Sequence, residues 1–263
     1  MEKPDIKSSA PVVEMTAVTV GLRDDPDQPA LHDVNWCVNP GEYWVIGGLH
    51  ASGKSDLLSM TAGLTRPLRG SFRLFGREMP VEGDQFLAGL LRIGMVFDGG
   101  QLFHHLTIQE NIALPLRYHR EMAGGDFAKT VKTILEMTGL SSQAAQYPGR
   151  LGRAWQKRAG LARALVLQPE VLLLDNPLGG LDWRHVQWWL DVLDQLSAGR
   201  GFFDGRPMTL VVAAEDLRPW KSRAAHFAIL QKRRFCALGH HPELGRLTDP
   251  LVRELLAETP AAK

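Results

Sequence analysis

Cysteine is scarce: two residues in 263, Cys37 and Cys236, lie far apart in the chain. Such a pair excludes the disulfide framework on which small secreted domains depend. A charge bias is also missing. Thirty Lys and Arg against 29 Asp and Glu leave a formal +1. That balance offers no basic surface of the kind a dedicated nucleic-acid binder carries, so no nucleic-acid partner is expected. No run reaches the roughly 18–20 uninterrupted apolar residues that a bilayer span requires. The start, Met1-Glu2-Lys3-Pro4-Asp5, holds no apolar stretch resembling a signal peptide. Together these absences predict a reduced, cytoplasmic protein that does not itself cross a membrane. What is present is ordinary globular composition, 44% hydrophobic and 22% charged. The length suits one large domain or an α/β domain with an inserted lobe.

Residues 1–10 are polar and read as a flexible tail. Residues 11–263 read as a single domain without internal repeats or a dividing linker. Val12 to Val20 and Leu31 to Val38 are β-branched runs separated by the turn Asp24-Asp25-Pro26-Asp27, which predicts antiparallel strands near the N-terminus. Apolar runs at 43–46, Ile93 to Phe97, Val171 to Leu174, Leu210 to Ala213 and His226 to Leu230 alternate with helical stretches. That alternation predicts an α/β fold around a buried, mostly parallel sheet. Between 101 and 147 the pattern is helical throughout. Val131, Ile134, Leu135 and Met137 recur at 3–4 residue spacing before Gly139, which predicts a helical lobe inserted into the core. The core is accordingly expected over 11–100 and 148–245, with a C-terminal helix or tail over 246–263.

The segment Gly48-Leu49-His50-Ala51-Ser52-Gly53-Lys54-Ser55 satisfies G-x-x-x-x-G-K-[ST] between a predicted strand and a predicted helix. Glycines let successive backbone N–H groups curl around phosphates. The helix N-terminus behind them adds positive potential, Lys54 reaches the terminal phosphates, and the Ser55 hydroxyl is a Mg²⁺ ligand. Val171-Leu172-Leu173-Leu174-Asp175 is an apolar strand ending in a carboxylate. Alone, such an Asp is equally well a helix cap; beside a phosphate loop it reads as the second Mg²⁺ holder.

With Ile93-Gly94-Met95-Val96-Phe97, the stretch Leu106 to Leu116, Arg158 to Leu165, and Pro177-Leu178-Gly179-Gly180-Leu181-Asp182, these motifs make the chain resemble an ABC-transporter ATPase subunit over almost its whole length. Within that superfamily, Phe103 to Leu116 and Asp249 to Leu256 resemble the ATPases of Mla/Mce-type phospholipid-trafficking systems. The resemblance implies a P-loop NTPase fold of ABC type, with a mostly parallel core, an antiparallel N-terminal β-subdomain and a helical lobe. It implies ATP and Mg²⁺ as cofactors, a second ATPase subunit as partner in a head-to-tail dimer, and docking on permease subunits at the inner face of a bacterial inner membrane. ATP would bind at Gly48 to Asp56, and Mg²⁺ at Ser55 and Asp175 with Asp98. Gly152, Arg153 and Ala154 would form the signature presented in trans, and Asp182 would sit in the loop joining the two sites.

Several positions depart from the family pattern. Asp98 stands where a Gln contacts Mg²⁺ and water. The signature L-S-G-G-[QM] becomes Leu151-Gly152-Arg153-Ala154-Trp155, losing a hydroxyl and both glycines. Arg153 reads either as a cation offered to the γ-phosphate in trans or as a solvated or permease-facing arginine. Asn176 replaces the Glu that polarises the attacking water, removing general-base help worth about 10²–10⁴-fold. Glu215 replaces the switch histidine and would repel a γ-phosphate. Asp56 adds a further negative charge, and no aromatic precedes Trp36 to stack on adenine. These changes predict Mg-ATP binding with impaired hydrolysis. The alternative is a non-catalytic subunit that scaffolds a permease or a partner ATPase.

Other features carry two readings each. Trp183, Trp188 and Trp189 serve either as a partner surface or as packing. The pairs His104-His105 and His240-His241 lack companions at ligand spacing and read as loop residues. Lys232-Arg233-Arg234 reads as a solvated turn or as a contact for anionic lipid head groups.

Overall fold

The structure is a computed structural model that describes residues 10–79, 84–119, 126–200, 205–240 and 249–256. Residues 1–9 of the expected tail, and 246–248 and 257–263 at the C-terminus, lie outside the described residues.

Ten strands form one sheet: β1 (Val13–Gly21), β2 (Pro29–Val38), β3 (Tyr43–Gly47), β4 (Pro67–Leu74), β5 (Arg77–Glu78), β6 (Ile93–Val96), β7 (Val171–Asp175), β8 (Thr209–Ala214), β9 (His226–Gln231) and β10 (Arg234–His240). Their order is β5-β4-β1-β2-β10-β9-β3-β8-β7-β6. The β5-β4-β1-β2 part is antiparallel, whereas β9, β3, β8, β7 and β6 run parallel. β10 joins the two parts through Arg234 opposite His32.

Strands β3, β7 and β8 are buried at every position. That explains why they read as unbroken apolar runs and not as an alternation. Their alternate side chains serve two cores. Tyr43, Val45, Leu172, Leu174, Leu210 and Val212 face one cluster, and Trp44, Ile46, Leu173, Val211 and Ala213 face the other. Gly47 pairs with Ala214 and Asp175 with Ala213. The carboxyl ends of the three central strands therefore finish along one edge, where open α/β sheets bind ligands.

Among the described residues the helices are α1 (Lys54–Thr61), α2 (Asp84–Leu90), α3 (Ile108–Tyr118), α4 (Phe127–Met137), α5 (Arg153–Leu165), α6 (Trp183–Ser197) and α7 (Pro250–Leu256). A capping box of Thr107 and Glu110 starts α3, Asp126 caps α4, and Gly139 at φ +66° follows its end. Val131, Ile134 and Leu135 of α4 are buried, as their spacing predicts. The segment α3 to α4 lies between β6 and β7 and contains no strand among the described residues.

Candidate nucleotide site

Strand β3 delivers the chain into the loop 48–53 and then α1, whose N-cap Gly53 is left-handed at φ +96°. A Cβ on Gly48 would lie 2.4 Å from Ser52 Oγ and 3.1 Å from the Leu230 carbonyl, so a larger residue there would push the Ser52 side chain aside and crowd β9. Lys54 is 6% exposed. Its Nζ donates to the carbonyls of Gly48 and Leu49, both at 2.7 Å. Burial lowers its pKa, and the carboxylates of Glu215 and Asp175 work in the opposite direction.

Asp175, 6% exposed at the end of β7, accepts a hydrogen bond from the Ser55 hydroxyl. Burial raises its pKa, the Ser55 bond opposes this, and the nearby Asp98 charge adds to the rise. A buried carboxylate whose charge burial disfavours, beside a hydroxyl and a helix N-terminus, is a donor set that a divalent cation such as Mg²⁺ bridged to phosphate would satisfy. No cluster of three or more His, Cys, Asp or Glu exists among the described residues to hold a metal without phosphate. The Ser55 hydroxyl and the Asp175 carboxylate therefore fit a Mg²⁺ whose remaining ligands come from a nucleotide's phosphates.

His50, Lys54, Ser55, Asp98, Asp175, Asn176 and Glu215 line one cavity of about 160 Å³. The structure thus gathers the residues expected from four separate segments. Within that cavity the departures have specific roles. Asn176 is left-handed, φ +46°, a conformation that Asn tolerates better than most residues. Its amide packs so closely on Gly179 that a Cβ there would fall 2.3 Å from Nδ2. Glu215 lies 3.4 Å from His50 Nδ1. Asp56 accepts the backbone N–H of Arg23 at 2.8 Å.

Asp98 is committed elsewhere. Arg153 Nη2 donates to both of its carboxylate oxygens, at 2.9 and 3.0 Å, and Lys157 Nζ lies 2.9 Å from Oδ1. Burial alone would raise the Asp98 pKa, but these two cations more than offset it and hold the carboxyl below its ordinary value. Arg153, expected to be solvated or reaching out in trans, here pairs within its own chain. Lys157, 1% exposed, also donates to the carbonyls of Asn176 (2.7 Å) and Gly179 (2.8 Å). It ties α5 to the loop before Asp182. Sequence reading missed Lys157; the signal was a lysine on the face of α5 shared with Leu161 and Leu165.

Asp182 caps α6, accepting from the N–H groups of Arg184 and His185, and lies 2.8 Å from His185 Nδ1. Those contacts, the His185 backbone bond foremost, lower its pKa. The tryptophans divide: Trp189 is buried, Trp188 stacks on the Arg158 guanidinium at 3.7 Å, and Trp183 is 71% exposed. Arg158 also lies over Trp155, at 4.7 Å. The basic turn divides as well. Arg234 pairs with Asp33, whereas Lys232 and Arg233 line a second cavity with Leu22, Ala30, Ala51, Ser52, Gly53 and Asp56.

Among the described residues no helix is long and apolar enough to cross a membrane. A family model described as ABC transporter matches residues 31–179, more than half of the chain. The methionine import ATP-binding protein MetN of Brucella abortus is 37% identical over 202 residues, covering 76% of this chain and 53% of that protein. The glutamate transport ATP-binding protein GluA of Corynebacterium efficiens is 34% identical over 171 residues, 65% of this chain and 71% of that protein. The chain thus spans about half the length of the methionine-import relatives it matches. Among solved structures, the dimeric, post-hydrolysis ATP-binding cassette MJ0796 with ADP and Pi superposes with TM-score 0.73 at 27% identity, covering 84% and 95% of the two chains. CbiO1 of Clostridium perfringens gives 0.74 at 21%, covering 90% and 91%, a likeness of fold alone. MetN and GluA carry amino-acid transport names and none of the four a phospholipid-trafficking one, so they lend nothing to the narrower Mla/Mce resemblance. The matched family, the fold and the phosphate loop on its strand and helix agree: the chain belongs to the ABC transporter family.

Proposed function

We propose that this subunit binds Mg-ATP and uses it mainly as a clamp, with hydrolysis slow or absent. The observation that carries the reading is the contrast within one cavity: Lys54, Ser55 and Asp175 keep the grip on phosphate, while Asn176 and Glu215 fill the positions that would activate water and sense the γ-phosphate. Ser55 and Asp175 would hold Mg²⁺, which when bound neutralises phosphate charge. The loop N–H groups and Lys54 bind and orient the triphosphate. An amide at 176 turned onto Gly179 accepts no proton from water, and the Glu215 carboxylate adds negative charge on the side where the γ-phosphate would lie. Asp98 is expected to reach the metal only after release from Arg153 and Lys157.

The subunit works with a second ATPase subunit and with permease subunits, peripheral to the inner face of the membrane. Gly152, Arg153 and Ala154 face that second subunit, as does Asp182. The named relatives support a small-molecule importer of the amino-acid kind as the assembly it serves, ahead of a phospholipid system.

Titration of the purified chain with Mg-ATP, alongside Lys54→Ala, tests the reading. Binding that is lost in the variant, with negligible phosphate release by the unmodified chain, is the expected result. Brisk release overturns the clamp. No binding at all favours a scaffold that uses no nucleotide.

A further inference from the structure

We propose that the β9–β10 turn, Lys232-Arg233, is the wall against which the purine base of the nucleotide rests, in place of an aromatic ring. This rests on the reading of residues 48–55 as the phosphate loop.

Two cavities meet at that loop. The first holds Asp175, Asn176 and Glu215. The second, about 410 Å³, shares Ala51, Ser52, Gly53 and Asp56 with the first and extends to Leu22, Ala30, Lys232 and Arg233. A triphosphate seated in the first with Mg²⁺ at Ser55 and Asp175 has its nucleoside end directed into the second. The volume accommodates a purine nucleoside. Leu22 just past β1 and buried Ala30 supply an apolar side, and among the described residues no aromatic lines the space. A planar guanidinium stacks on base faces and attracts their π-electrons, and it does so with little regard to base identity.

The turn is built for this at a cost. Lys232 and Arg233 are both left-handed, φ +48° and +60°. Those are the two central positions of a tight hairpin, where Asn-Gly is the unstrained choice. The turn is nonetheless held in place: the Arg233 carbonyl accepts from His32 N at 2.9 Å, its guanidinium donates to the Pro29 carbonyl, and Arg234 pairs with Asp33. Two cations where glycine is preferred, fixed beside the phosphate loop, give the base a surface.

The double variant Lys232→Asn/Arg233→Gly tests this. It removes both cations and relieves the backbone while giving up the Arg233–Pro29 contact, so its melting temperature is expected to stay within a few degrees of that of the unmodified chain. Its dissociation constant for Mg-ATP is expected to rise about tenfold, or ~1.4 kcal/mol, while that for Mg-tripolyphosphate changes less than about twofold. Arg233→Lys, which keeps charge but not the plane, is expected to lose part of the ATP affinity. Equal losses for ATP and tripolyphosphate would mean long-range charge alone and would overturn the proposal, as would no loss for either. Failure of the unmodified chain to bind Mg-ATP would overturn the nucleotide reading itself.

Discussion

Replacing Lys157 by Met keeps the buried stem of the side chain and removes its charge and donors. The carbonyls of Asn176 and Gly179 lose bonds of 2.7 and 2.8 Å, and each orphaned acceptor costs about 1–3 kcal/mol. The lost attraction to Asp98 adds at most about 1 kcal/mol, because that carboxylate is 39% exposed and screened. Against these stands the burial penalty that the ammonium no longer bears, the largest influence on Lys157 and the reason its pKa is lowered. The net is a loss of about 3 kcal/mol, a fall in Tm of about 6–12 °C for a chain of this size. Calorimetry of the nucleotide-free chain at pH 7 measures it. Asp98 has a depressed pKa, so its stabilising contribution is complete above the ordinary carboxylate value and disappears as pH falls through the folded one. The Asp98 share of the penalty should therefore shrink in acid. A fall of under about 2 °C at pH 7 would refute the reasoning, since it would mean that desolvation cancels the whole network.

Asp175→Asn should stabilise the nucleotide-free chain by about 1 kcal/mol at pH 7.5 while weakening Mg²⁺-dependent ATP binding. The raised pKa of Asp175 means that its ionised form costs stability above the folded pKa, so the gain measured by thermal melting must vanish as pH drops below the ordinary value. Asn176→Glu alone should leave phosphate release within about tenfold of the unmodified chain and lower Tm, because a left-handed Glu against Gly179 is strained by about 1 kcal/mol. Glu215→His should tighten Mg-ATP binding about fivefold, with little effect on Mg-ADP, by removing roughly 1 kcal/mol of repulsion at the γ-phosphate; equal changes for both nucleotides would contradict that placement.

The strands that carry the site were legible because they are buried on both faces. Val171–Asp175, Thr209–Ala214 and Tyr43–Gly47 announce themselves as apolar runs. β4 did not, since Pro67–Leu74 buries only Phe72 and Leu74 and is otherwise polar. Helix α2, Asp84–Leu90, likewise carried no sequence signal that the reading used. The phosphate loop and Asp175 were legible because their chemistry is local in sequence. The pairings that decide what the departures do are not local: Arg153 with Asp98 spans 55 residues, and Lys157 to Asn176 spans 19. A charged residue on a helix advertises neither its burial nor its partner. Lys232-Arg233 lacked the Asn-Gly signature of a tight turn, and its nearness to the phosphate loop follows from β9 lying beside β3, which no spacing reveals.

Because β3, β8 and β7 are hydrogen-bonded neighbours in one continuous sheet, the mounts of Lys54, Glu215 and Asp175 behave as a single stiff plank. Nucleotide arrival cannot respace them by bending it. The first two turns of α5 are latched by Arg153 and Lys157 to Asp98, just past the end of the neighbouring β6. A swing of α5 would have to break those contacts together with the Lys157 bonds to the Asn176 and Gly179 carbonyls.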